Sequence, residues 1–471
     1  MKPPTRTPPK FYSHPFLFLL LLASLLLPVA GRTASISYLS YSNLFVVTTN
    51  NGASPQSALV LGSDGATLFG TTLLSGTNGV GTIFKVNLDG SGFQTLHGFT
   101  GAPADGGLGI FRPLGNSGNL GGLLLGKDGY LYGTTYYGGL NNAGTIYKIG
   151  QDGNGYQVIH SFDFEVPIAP VIQGQDGALY GTGLHGALFR MNPDGTGYAV
   201  ITHLHNQFSY SGLMQGTDGL LYGADQNSAG DYELFAVSTN GSGFTVVHTF
   251  SSSEGLRPYG TPYQAANGML LGTLYTGGSA GVGIIYLVNT NGSNFQVVHN
   301  FADGSTPSDG SLPTSGLVLG GDGWLYGTTS GDSVFNNGIY KIKPDGSGYQ
   351  QIYLFTDQSG DGAAAFGSVT AGSFQGSTGA LFGTTTHGGT ADHGTVYSIV
   401  VNPPLSITPG SITAGGQTTL FWPSWAVSYQ LQSTTNLTTG TWSNITSGTP
   451  IIGLQVAASN SAAFFRLVSP E

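Results

Sequence analysis

One phrase, an apolar residue followed by an aromatic residue or leucine and then glycine, returns seven times along this chain. No other feature limits its fold as far. The phrase reads LFG at Gly70, LYG at Gly133, Gly181, Gly223 and Gly327, LLG at Gly272 and LFG at Gly383, at intervals of 63, 48, 42, 49, 55 and 56 residues. A second phrase follows each copy, centred on Phe84, Tyr147, Phe189, Phe235, Tyr286, Tyr340 and Tyr397. A third, DGSGF or a close variant, follows the first six and ends at Phe93, Tyr156, Tyr198, Phe244, Phe295 and Tyr349. Self-similarity at such a period is the mark of a repeat architecture.

The spacings assign the segments. From second-phrase to third-phrase aromatic the gap is always nine residues, through Asp-Gly or Asn-Gly. A constant gap through those dipeptides predicts a tight hairpin, because they tolerate the positive φ such turns need. Another Asp-Gly or Asn-Gly precedes most LYG phrases, at Asp64, Asp128, Asp176, Asp218, Asn267 and Asp322. The other two connections vary, from 8 to 14 residues between LYG glycine and next aromatic, and from 25 to 40 between third phrase and next LYG. Each unit therefore reads as four short antiparallel strands with two fixed and two variable connections. Units of that kind at this period predict a β-propeller.

The seventh unit has no third phrase; after Val400 the chain runs into Asn402-Pro403-Pro404. An orphan strand, Asn43–Thr48, lies near the N-terminus instead. Phe45 stands 25 residues before Gly70, the gap that separates Tyr156 from Gly181 and Tyr198 from Gly223. The expected fold is all-β: a seven-bladed propeller over residues 36–402, closed by this N-terminal strand, which removes an exposed sheet edge.

Composition agrees. The chain holds 78 glycines and 23 prolines in 471 residues, with 39% hydrophobic and 8% charged residues and no Gly-X-Y period, which excludes a disordered or collagenous chain. A net charge of −10 with 13 Lys and Arg argues against nucleic acid as a partner. Without cysteine there are no disulfides or thiolate sites.

Lys2, Arg6 and Lys10 precede an apolar run from Phe16 to Leu27 and small residues at Val29-Ala30-Gly31. This pattern predicts a signal peptide over residues 1–31 and export, to the medium, periplasm or cell surface. Its loss would take the formal charge from −10 to −13. No second apolar stretch of membrane length follows, so the mature chain is expected to lack a membrane span and to be a monomer.

The units, for example GSDGATLFGTT followed by GVGTIFKVNLDGSGF, resemble the Gloeo/Verruco (GloVer) tandem repeat of exported bacterial proteins over roughly residues 57–400. Members of that family often end in a sorting anchor with a short hydrophobic helix; the C-terminus here, FFRLVSPE, departs from that pattern. The resemblance implies export but brings no activity. Residues 403–471, with runs TTLFW, YQLQST, TWSNIT, IIGLQVA and FFRLV, read as a small β-sandwich and resemble fibronectin-III-like C-terminal modules.

Candidate chemistry is sparse. Nine aspartates, Asp64, Asp89, Asp128, Asp152, Asp176, Asp194, Asp218, Asp322 and Asp345, sit one to a hairpin and are expected to serve the turns rather than Ca²⁺, which needs several oxygens at close spacing. His97, His160, His248 and His299 each stand four residues past a third-phrase aromatic, with Tyr353 in that place in unit six. On separate blades they cannot converge on one ion, so a repeated structural hydrogen bond is expected. At His387, His393 and Asp392 a metal remains an alternative. The LYG tyrosines read as core, with a sugar-stacking platform as the alternative.

No nucleophile elbow, zinc-protease motif or phosphate loop is present. No cofactor is expected. Binding is assigned to the face formed by the variable connections, which gather most of the non-repeating charges. Arg112, Glu165, Asp225, Glu254, Arg257, Asp309, Asp332 and His387 are the candidate site residues, and a glycan or an envelope protein is the expected partner. A non-catalytic binding or scaffold protein is the favoured reading. A propeller enzyme, a lyase or glycosidase, is one alternative; it would need two of Glu165, Asp225, Asp309 and His387 to converge. A purely structural surface protein is the other.

Overall fold

The repeated phrases become strands for a steric reason visible at the LYG glycine. At Gly133, Gly272, Gly327 and Gly383 a Cβ would lie 2.2–2.3 Å from the tyrosine hydroxyl of the next strand, and at Gly181 it would meet the Phe189 ring at 2.4 Å. Glycine is thus required where an aromatic side chain crosses the neighbouring backbone. In register, Gly133 faces Tyr147, Gly181 faces Phe189 and Gly383 faces Tyr397.

The computed structural model describes residues 38–402 except 50, 75, 77–78, 109–120, 168, 205–210, 303, 305–308, 332–336, 356–360 and 375–376, together with six short strands beyond 402. The expected signal peptide, residues 1–31, lies outside the described residues. Among the described residues no helix is long and apolar enough to cross a membrane.

Seven four-stranded antiparallel sheets follow one another. Blade 1 takes Val60–Leu61, Thr67–Thr72, Thr82–Asn87 and Gln94–Gly98, from innermost to outermost strand. Blades 2 to 6 repeat this order from Leu123, Ile172, Met214, Tyr263 and Val318. Blade 7 consists of Thr370–Phe374, Ser377–Thr385 and Thr395–Asn402, and its outermost strand is Tyr38–Val46 from the N-terminus. The ring is therefore closed as expected.

The closing junction is built like four of the others. Thr71, Thr134, Thr273 and Thr328, each directly after the LFG, LYG or LLG glycine, donate to a main-chain carbonyl of the next blade's approach, at Gly121, Ala169, Ser315 and Gly367. Thr384 of blade 7 donates to Ser57 O at 3.0 Å, ahead of blade 1. The buried clusters also lie between blades: Tyr132, Ile146 and Phe162 of blade 2 meet Leu179, Phe189 and Met191 of blade 3. Apolar burial across every junction, rather than one central core, holds the ring.

One assignment differs from the sequence spacing. Tyr41, not Phe45, takes the third-phrase place in blade 7. Its ring stacks on Tyr397 as Tyr349 stacks on Tyr340, with centroids 5.8 and 5.6 Å apart. Phe45 then occupies the position of His97, four residues on, and stacks on Phe93 of blade 1 at 3.8 Å. The 25-residue gap misled because it crosses a connection whose length varies.

The chain divides into two compact units, the propeller over 39–374 and 378–401 and a second unit that holds 402–471. In the second, Thr408–Pro409, Gln417–Phe421 and Gly453–Ala457 form one three-stranded sheet. Ser443–Asn444, Gln430–Thr434 and Phe464–Val468 form another.

Candidate functional site

A propeller of repeats presents two faces, and the hydrogen bonds separate them. On the fixed-hairpin face the aspartates are occupied by their own turns. Asp89, Asp152, Asp194 and Asp345 each accept a main-chain N–H two residues on, at 2.9 Å. Asp128, Asp176, Asp218 and Asp322 do the same with one oxygen. With the other they accept the hydroxyl of the LYG tyrosine: Tyr132, Tyr180, Tyr222 and Tyr326, at 2.6–2.9 Å. These rings are at most 1% exposed, so they are core and not a sugar platform. A polar cleft of about 400 Å³ opens on this face, lined by Asp128, Asp176, Asp194 and Lys148.

The histidines fasten adjacent blades. His97 lies flat on Tyr156 of blade 2 at 3.6 Å, and its Nε2–H donates to Asp105 Oδ2 at 3.0 Å. Asp105 also accepts from the Tyr156 hydroxyl, the Thr100 N–H and the Gly106 N–H. Burial alone would raise the Asp105 carboxyl, but the hydrogen bonds from His97, Tyr156 and the two amides outweigh it and hold the pKa at about 2. The arrangement repeats at His299, stacked on Tyr349 at 3.4 Å and bonded to Asp309 Oδ2 at 2.9 Å. It repeats with His248, Phe295 and Glu254, and with Tyr353, Tyr41 and Asp361. His160 stacks on Tyr198 at 3.8 Å, and desolvation lowers its pKa.

These latches revise the expected docking surface. Glu254 and Asp309, read from sequence as binding-face charges, are with Asp105 and Asp361 a repeated component of the junctions. Asp309 has a side chain 1% exposed and cannot meet a partner; it is a buried acceptor for His299, Tyr349 and the Ala302 N–H. Glu254, a quarter exposed, accepts from Ser251 N–H and faces His248 at 3.3 Å. Their spacing from the histidine is 8, 6 and 10 residues and from Tyr353 it is 8, because they lie on connections of different length. The sequence carried no fixed interval by which to find them.

The other candidates separate around the ring. Arg112 and Asp332 lie outside the described residues. Asp225 is directly opposite Glu233 in blade 4, and the two are 1% and 6% exposed. This pair replaces a threonine pair found elsewhere: Thr72 with Thr82, Thr135 with Thr145 and Thr385 with Thr395, hydroxyls 2.8–2.9 Å apart. Asn227 Nδ2 and Thr249 Oγ1 donate to Glu233 Oε1. Arg257, at φ 63°, has a carbonyl that accepts from Tyr259 and Tyr275 N–H. The Tyr232 phenol is raised by burial, partly offset by Arg257.

His387 is 55% exposed, with Nδ1 3.9 Å from Asp392 Oδ1; that oxygen accepts the Gly388 N–H. Among the described residues no three His, Asp or Glu side chains gather closely enough to hold a metal. Glu165 Oε2 accepts the His185 N–H at 3.2 Å. Thus Glu165 and Asp309 act as hydrogen-bond acceptors in their own loops, Asp225 faces Glu233, and His387 lies beside Asp392.

What sequence reasoning missed lies beside Glu165. Phe164 is 65% exposed and Leu140 is 77% exposed, the two most exposed large apolar side chains among the described residues. Both lie on variable connections, of blades 2–3 and of blade 2. The only available signal was an apolar residue between two acids, Asp163-Phe164-Glu165, in a loop.

The fold is a tandem-repeat β-propeller whose blades are latched by stacked histidine and tyrosine rings. Residues 33–233 and 209–408 match the Gloeobacter/Verrucomicrobia repeat, and the chain belongs to that family. No curated protein matches it. Solved structures similar to it include virginiamycin B lyase from Staphylococcus aureus, 14% identical, covering 78% of this chain and 99% of that one, TM-score 0.49. Oligogalacturonate lyase from Vibrio parahaemolyticus is 12% identical, covering 82% and 97%, TM-score 0.47.

Proposed function

We propose that this chain is an exported, non-catalytic binding or scaffold protein that meets a glycan or an envelope protein through the variable-connection face of its propeller. The observation that carries the reading is the division of labour between the faces. Carboxylates on the fixed hairpins are consumed by turns and LYG tyrosines, whereas the opposite face exposes Leu140, Phe164, Asp163 and Asp392. Loops of unequal length on a rigid frame are where recognition diversifies. The C-terminal sheets serve in this reading as a fibronectin-III-like appendage. The enzyme alternative would use facing carboxylates, and the pair brought face to face, Asp225 and Glu233, is buried away from a substrate.

A glycan-array and envelope-fraction binding screen, followed by charge reversal, tests the reading. Asp163→Lys with Asp392→Lys is expected to weaken whatever binds, while Asp89→Lys with Asp345→Lys leaves it intact. The opposite pattern would place recognition on the hairpin face and overturn the proposal.

A further inference from the structure

We infer that Leu140, Phe164, Asp163 and Glu165 form a docking spot for a partner polypeptide segment that carries an arginine or lysine beside an apolar side chain. This rests on the variable-face reading above and names its site and partner chemistry.

The spot is assembled from three variable connections. Leu140–Asn142 belongs to the loop within blade 2, Asp163–Val166 leads from blade 2 to blade 3, and His185 is at the tip of the shortest loop, within blade 3. Asn141 Nδ2 donates to Asp163 Oδ1 at 2.7 Å, which ties the loop carrying Leu140 to the loop carrying Phe164. Leu184 N–H donates to Val166 O at 2.7 Å, and Pro167 is bridged to Gly183, so the second and third loops are joined as well.

The Phe164 ring is already ordered. One face lies on the His185 imidazole, with centroids 3.9 Å apart and planes 15° from parallel. His185 is in turn fixed by its own N–H on Glu165 Oε2. A ring held in this way loses little freedom on binding, which is how preorganised aromatic anchors gain affinity. Large exposed apolar side chains that cluster, rather than scatter, mark interaction surfaces.

Charge selects the partner. Asp163 and Glu165 flank Phe164 in the chain, and none of residues 136–144, 161–171 and 183–187 is Lys or Arg. Each carboxylate can accept several hydrogen bonds, more than are used here. A cation over the open face of Phe164 would gain both the ring quadrupole and the adjacent carboxylates. Leu140 would meet the apolar neighbour. The chain's overall negative charge favours the approach of a basic segment.

The test uses the full chain and two fluorescent peptides, one alternating arginine with leucine and one alternating arginine with serine, read by anisotropy at roughly 50 and 300 mM sodium chloride. The arginine–leucine peptide is expected to bind more tightly and to weaken with salt. Phe164→Ala and Leu140→Ser should each reduce its affinity by about tenfold. Asp163→Asn with Glu165→Gln should reduce affinity and flatten the salt dependence. Unchanged melting temperatures keep the variants interpretable, since all four side chains are partly or largely exposed. Equal affinity for both peptides, no binding, or indifference to Phe164→Ala would overturn the inference. A glycan bound at the variable face and lost on Asp392→Lys would refute the partner chemistry while leaving the face assignment intact. Loss on Asp89→Lys instead would refute both.

Discussion

Replacing Asp309 by alanine tests the latch directly. Its carboxylate, 1% exposed, accepts from His299 Nε2–H at 2.9 Å, from Ala302 N–H at 3.1 Å and from the Tyr349 hydroxyl. Alanine removes one acceptor and strands two donors, since the Tyr349 hydroxyl also reaches Gln351 Oε1 at 3.0 Å. His299 is itself only 8% exposed, so water cannot fully replace the lost partner. At about 1–2 kcal/mol for each stranded donor, the cost is about 2–4 kcal/mol. The equivalent Glu254→Ala is milder: the carboxylate is 25% exposed, its contact to His248 is 3.3 Å, and Phe295 offers that junction no hydroxyl. Its cost is about 1 kcal/mol. Urea unfolding of both variants gives the comparison, with the shift in midpoint at constant m read as stability. The expected order is Asp309→Ala well below Glu254→Ala, with His299→Ala showing strong non-additivity with Asp309→Ala. Equal midpoints for the two carboxylate variants, within about 0.5 kcal/mol, would refute the latch as the role of Asp309.

Three other outcomes follow from single groups. Tyr147 and Tyr340 bury hydroxyls without a partner where Phe84 and Phe189 stand in other blades, so Tyr147→Phe and Tyr340→Phe should leave stability unchanged or raise it by about 1 kcal/mol, read by calorimetry. The folded Asp105 carboxyl is held at about 2, below the unfolded value of ~3.9; its stabilisation is therefore present above about pH 4 and lost as pH falls towards 2, and Asp105→Asn should flatten that part of an acid-unfolding profile. Asp194→Asn should change stability by less than about 1 kcal/mol and release no calcium, since Asn291 serves the same turn in blade 5, accepting from the Ser293 N–H and hydroxyl.

The architecture was legible because the two fixed hairpins are short-range objects. A nine-residue gap through Asp-Gly or Asn-Gly admits few backbones, and six copies of it beside seven LYG-type phrases specify blade number, strand order and the missing strand. The same logic failed once contacts crossed a variable connection. Tyr41 and Phe45 lie four residues apart on one strand, and only the stacks on Tyr397 and Phe93 decide which takes which place. The carboxylates of the latches were hidden for the same reason: each histidine sits at a constant position, but its acid arrives at 6 to 10 residues along loops of unequal length.

Repetition also explains why charge alone pointed to Asp309 as a surface group. In a ring of similar blades, a polar group that recurs in space is held by its neighbours, whether or not it recurs at a constant sequence interval. Asp309 recurs in space with Asp105 and is consumed by the fold. Among the described residues Phe164 has no counterpart in exposure on the other blades: the ring residues Phe99, Phe162, Phe250, Phe301 and Phe355, which follow the outermost strands or end them, are at most 5% exposed. Two residues after Phe162 the chain spends another phenylalanine on solvent, beside two acids and on a histidine that holds it still. Apolar exposure that the repeat does not require, rather than acidity that it does, is therefore the better guide to where this propeller meets a partner.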